Sequence, residues 1–143
     1  MSTGPSSESM AFHHVGVACR DLDPEMEAFG LLGYRAEGEE FVDPEQGVRG
    51  RFLVGPGPRV ELLVQTPGSR VLEPWLGKGV KLYHQAFVVE SLEESVRTLC
   101  ANGGRVVAVP VSAAAFGGST LAFVMLRNLA LVELIEGDAR AGG

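Results

Sequence analysis

Phe12-His13-His14-Val15-Gly16-Val17-Ala18 is a short apolar run with histidine near its start. The same plan returns at Leu82-Tyr83-His84-Gln85-Ala86-Phe87-Val88-Val89. After each copy come helix-start signals and then three strand-like runs, the last of which carries an acid among apolar neighbours. Those last runs are Arg59-Val60-Glu61-Leu62-Leu63-Val64 and Leu131-Val132-Glu133-Leu134-Ile135-Glu136. His14 precedes Glu61 by 47 positions, and His84 precedes Glu133 by 49. The order β-α-β-β-β, read twice, predicts an α+β fold: two tandem βαβββ modules forming one curved mixed sheet system around a metal-binding cleft.

The intervening signals fill in this plan. In the first module a strand over 12–18 leads to a helix with Asp23 as N-cap and Pro24 in its first position. Met26, Phe29 and Leu32 form its inward stripe, and Gly33 ends it. Strands follow over 34–41, 50–54 and 59–65, with the loop Asp43-Pro44-Glu45-Gln46-Gly47 and the turn Gly55-Pro56-Gly57-Pro58 between them. An irregular, Pro- and Gly-containing stretch links the halves, with Trp75 read as a fastener of the linker in preference to a pocket wall. In the second module the strand over 82–89 precedes the capping box Ser91-Leu92-Glu93-Glu94. Leu92, Val96, Leu99 and Cys100 make the apolar face of that helix, and Asn102-Gly103-Gly104 stops it. Strands over 105–113, 121–126 and 130–136 are separated by Gly117-Gly118 and Arg127-Asn128. The expected boundaries are a tail at 1–10, a single domain at 11–137, and a second tail at 138–143. Within the domain, module 1 covers about 11–66, the linker about 67–80 and module 2 about 81–137.

With 143 residues, 45% of them hydrophobic, the chain can build a core without covalent staples. A net charge of −6 argues against nucleic acid or an anionic membrane surface as partner. Cys19 and Cys100 read as reduced structural thiols, which fits a cytoplasmic protein. No apolar run approaches a membrane span, and the first residues lack the basic and apolar regions of a signal peptide.

A glutamate inside an apolar run is costly if its face is buried and its charge uncompensated. Alone, each such residue is better explained as a solvated strand position, and each histidine as a hydrogen-bonding one. The matched occurrence of both in both halves favours a shared divalent ion held by His14, Glu61, His84 and Glu133. Superposing the two halves aligns His14, not His13, with His84. Two imidazoles and two carboxylates suit Co, Ni, Zn, Mn or Fe. Gly16 and Ala86 leave room beside each histidine.

These residues, over 11–137, resemble the vicinal oxygen chelate superfamily, which includes glyoxalase I, extradiol dioxygenases, fosfomycin-resistance proteins and methylmalonyl-CoA epimerase. The likeness is greatest to the epimerases, through His13-His14-Val15-Gly16-Val17-Ala18-Cys19-Arg20-Asp21-Leu22 and the loop Pro44-Glu45-Gln46-Gly47-Val48. The resemblance implies a metal-dependent isomerase that epimerises a 2-acyl thioester such as methylmalonyl-CoA, through α-proton removal and a metal-stabilised enolate. It also implies Glu45 as one base, Glu133 as a possible second, and a homodimer. The chain departs from the epimerase pattern at Gln65-Thr66-Pro67, where His-Pro-Leu is expected, and in the short connection before the last strand. Two alternatives stay open: a lyase of the glyoxalase I type or another metal-dependent tailoring enzyme, and a metal-free drug-binding resistance protein. Arg49, Arg51, Arg59 and Lys78 are available cations for an acyl-CoA phosphate, with scattered surface charge as the default reading.

Overall fold

The computed structural model describes residues 10–113 and 119–137. Residues 1–9 of the expected tail at 1–10, the expected tail at 138–143 and the turn at Gly117-Gly118 lie outside the described residues, while Met10 is described and opens a strand. The chain is mixed α+β, with the βαβββ order present twice. The described residues fall into two units, His14–Tyr83 in one and 10–13 with His84 onward in the other.

The first unit takes most of strand β1 (Met10–Ala18), helix α1 (Leu22–Gly30), and strands β2 (Arg35–Asp43), β3 (Val48–Val54) and β4 (Val60–Gln65). β2 and β3 pair antiparallel, as do β3 and β4, and β4 pairs parallel with β1. Alternation along β4 sorts its side chains between two apolar clusters. Val60, Leu62 and Val64 join Val17, Leu22, Leu53, Met26 and Phe29 under α1. Leu63 faces the other way and joins Ala18, Val48 and Leu72.

Two details of α1 differ from the sequence expectation. The helix begins at Leu22 with Asp21 in the N-cap position, so Pro24 sits deeper in the first turn. The first-turn amides have no intrahelical partner, so a proline is tolerated anywhere there. The helix ends at Gly30, and the chain leaves through a turn in which Gly33 has φ +98. Leu32, placed on the inward stripe by periodicity, lies beyond that end and is exposed.

The linker holds one short helix that its prolines and glycines concealed, α2 (Glu73–Leu76). Gln65 anchors it: its Oε1 accepts from Leu72 N at 2.9 Å and its Nε2 donates to Glu73 at 3.1 Å. Leu72 is fully buried, and Trp75 meets Tyr83 edge-on with centroids 4.4 Å apart. Trp75 therefore fastens the linker down.

The second unit contains β5 (Leu82–Val89) from His84 onward, α3 (Leu92–Ala101), β6 (Arg105–Ala113), β7 (Ser119–Met125) and β8 (Leu131–Glu136). β5 and β8 are parallel; β7 pairs antiparallel with β8 and with β6. Leu92, Val96 and Leu99 of α3 pack with Val89, Val124, Val132 and Leu134, and Met10 joins the same cluster. Cys100, expected on this face, is exposed. The start of α3 is capped twice: Ser91 Oγ accepts from Glu94 N at 3.2 Å, and Glu136 Oε2 accepts from Leu92 N at 2.9 Å. Among the described residues no helix is long and apolar enough to cross a membrane.

Candidate functional site

In the first unit, β1 and β4 run parallel with Gly16 beside Glu61. His14 stands two residues before Gly16 on the same face. Gly16 leaves room on that face, and His14 Nε2 lies 3.0 Å from Glu61 Oε1. Both residues are buried, at 0% and 4% exposure. On the far side of β4, Phe52 of β3 is the register partner of Glu61. Its ring meets the His14 imidazole edge-to-face, with centroids 5.2 Å apart and planes at 81°.

The second unit repeats this arrangement, with Ala86 in the place of Gly16. Ala86 of β5 sits beside Glu133 of β8, and His84 precedes Ala86 by two. His84 Nε2 lies 3.0 Å from Glu133 Oε1, and each residue is 2% exposed. Phe123 of β7 is the register partner of Glu133 and meets His84 edge-to-face at 5.3 Å and 83°. Alternation puts His13 on the face opposite His14.

The two phenylalanines escaped the sequence reading. Their signal was present: Phe52 stands nine residues before Glu61, and Phe123 ten before Glu133. It was hidden because phenylalanine in a strand is read as core.

Each pair offers one imidazole nitrogen and one carboxylate oxygen to a metal ion. This donor set fits a borderline divalent ion, and the spacing within each pair fits as well. Bonds of about 2.1 Å to one ion put adjacent donors roughly 3 Å apart.

Glu45 lies in the turn between β2 and β3, where it is exposed. Its neighbours fix that turn. Asp43, 2% exposed, accepts from Gln46 N at 3.2 Å and from Gln46 Nε2 at 2.6 Å. Gly47 has φ +71, and a Cβ there would sit 2.5 Å from Ser69 Oγ, so no other residue fits easily. Gly47 O also accepts from Thr66 N at 3.0 Å.

Three of the cations considered for a phosphate already have protein partners. Arg49 pairs with Glu40 at 2.7 Å and Arg59 with Glu37 at 3.0 Å, while Arg51 Nε donates to Gly38 O at 3.0 Å. Lys78 is exposed.

A family model described as the glyoxalase/bleomycin resistance protein/dioxygenase superfamily matches residues 13–123, ending short of β8 and Glu133. No curated protein matches the chain. Among solved structures, a hypothetical protein from Bacillus halodurans C-125 is similar at 26% identity and TM-score 0.76, over 90% of this chain and 95% of that one. Methylmalonyl-CoA epimerase from Mycobacterium tuberculosis is similar at 26% identity and TM-score 0.76, over 96% and 95% of the two chains. A variant of the Streptomyces coelicolor methylmalonyl-CoA epimerase in complex with 2-nitronate-propionyl-CoA is similar at 25% identity and TM-score 0.70, over 92% and 96%.

Proposed function

Because the chain belongs to the glyoxalase/bleomycin resistance protein/dioxygenase superfamily, we propose that it is a metal-dependent isomerase that epimerises a 2-acyl thioester of the methylmalonyl-CoA kind. In this reading residues 11–137 act as one domain, and His14, Glu61, His84 and Glu133 together hold one divalent ion. The observation that carries it is the twinned pair of buried His–Glu contacts, each at 3.0 Å. Two carboxylates buried at 4% and 2% exposure, each beside a buried imidazole, form a donor set of the kind that a divalent ion takes. One divalent cation neutralises both carboxylates at once, while the imidazoles contribute neutral donors. The similarity to epimerase structures supports the choice of reaction.

A bound divalent ion supplies Lewis acidity toward the thioester and acyl oxygens, which makes the α-proton easier to remove. The chain's own residues then handle that proton. Glu45, exposed on a turn fixed by Asp43 and Gly47, takes it from one face of the α-carbon. Glu133, beside His84, is the proposed second base: in the turnover where Glu45 removes the proton, Glu133 would start protonated and released from the ion and would deliver that proton to the opposite face, and in the reverse turnover it would take the proton. The bond broken and the bond formed are both C–H at the same carbon, so the sequence is redox-neutral.

The test is exchange of the α-proton of methylmalonyl-CoA in heavy water, followed by mass spectrometry with cobalt-loaded protein. Exchange is expected, and Glu45→Gln should slow it by about 10²–10⁴-fold. Absence of exchange with wild type would sink the epimerase assignment and leave the metal site standing.

A further inference from the structure

We infer that Phe52 and Phe123 are positioning residues that set the imidazole planes of His14 and His84 for metal binding, an inference that rests on the metal reading above. The terminal torsion of histidine is broad, so a ligand imidazole needs a neighbour to fix its plane. Gly16 and Ala86, two residues further along β1 and β5 on the same face and beside each glutamate, offer little side chain for this. The wall comes instead from the strand beyond each glutamate. Phe52 is the register partner of Glu61 and Phe123 that of Glu133.

Each ring meets its imidazole at nearly the same geometry, 5.2 Å and 81° in one unit and 5.3 Å and 83° in the other. The surroundings of the two rings differ. Phe52 is half-buried and backed by Phe41, with centroids 5.7 Å apart and planes at 33°. Phe123 is 6% exposed and packs with Ala86, Leu121 and Ile135. Core filling alone gives no reason for one ring-on-imidazole geometry to recur against two different backings. Fixing an imidazole whose Nε2 must point at a carboxylate does.

The experiment is titration of the metal-free protein with Co²⁺, followed by visible absorption, which reports both affinity and ligand geometry. Phe52→Leu is expected to weaken Co²⁺ binding by about 10–100-fold, the usual effect of removing a group that orients a ligand, and to alter the band shape. Phe52→Tyr keeps the edge-to-face ring at a half-buried position and is expected to retain wild-type affinity and spectrum. Phe123→Leu repeats the test in the second unit, and Phe52→Met serves if Phe52→Leu fails to fold. A purely structural role predicts lower melting temperatures for the metal-free leucine or methionine variants with unchanged Co²⁺ affinity and spectra; that result overturns the inference while the metal reading survives. Wild-type protein that binds no Co²⁺ removes the metal reading and this inference with it.

Discussion

At the residue scale, burial decides chemistry twice. Cys19 is 1% exposed, and its thiol lies at 3.5 Å from the Val17 carbonyl. Burial, reinforced by the nearby Glu25 carboxylate, raises its pKa from 9.0 to about 12. Cys100 is exposed. A thiol reagent at pH 8 is therefore expected to modify one cysteine in the native protein and both in denaturant, since only a thiolate reacts. The sign for stability follows from the same shift. Above pH 9 the unfolded chain ionises Cys19 while the native one does not, so this contribution to stability falls between pH 9 and about 12. Cys19→Ala should flatten that alkaline decline in denaturant melts. Glu61 and Glu133 are the second case: apolar neighbours in sequence made them conspicuous, and their burial beside histidine is what makes them candidate ligands.

At the element scale, most strands and both longer helices were legible because alternation and cap residues are local signals. β5 has the expected bounds, and Ser91 caps α3 as its spacing requires. What was illegible depends on partners distant in sequence. The short helix α2 is held by Gln65, and Cys100 sits on the helix side that packing left outside. The pairing of each histidine with its glutamate was inferable from matched spacing, whereas the phenylalanine walls emerge only from strand register. The turn between β7 and β8 carries its own consequence. Leu129 adopts φ +71 and is 76% exposed, a left-handed conformation that disfavours a side chain. Leu129→Gly should stabilise the protein by about 0.5–1 kcal/mol, read as a higher midpoint in urea, and an unchanged or lower midpoint would contradict the strain.

At the scale of the whole molecule, the metal reading links composition to stability. Purified wild-type protein is expected to hold about one divalent ion per chain by elemental analysis. His84→Ala should lose most of it, and a chelator should lower the wild-type melting temperature. Equal metal content in the two proteins would mean that the ligands are misassigned. The division of the chain also bears on how the molecule can be taken apart. It falls inside β1, between His13 and His14, and inside β5, between Tyr83 and His84. Met10 packs among Val124, Val132 and Leu134, residues more than a hundred positions away. The duplicated halves are thus not interchangeable cassettes. A gene cut in the linker would produce a carboxyl-terminal fragment without Met10 and an amino-terminal fragment carrying a stub of strand that belongs to the other piece. Reassembly from separately expressed fragments would place the natural seam at the two histidine strands, so dissection of this protein should follow packing and not the repeat.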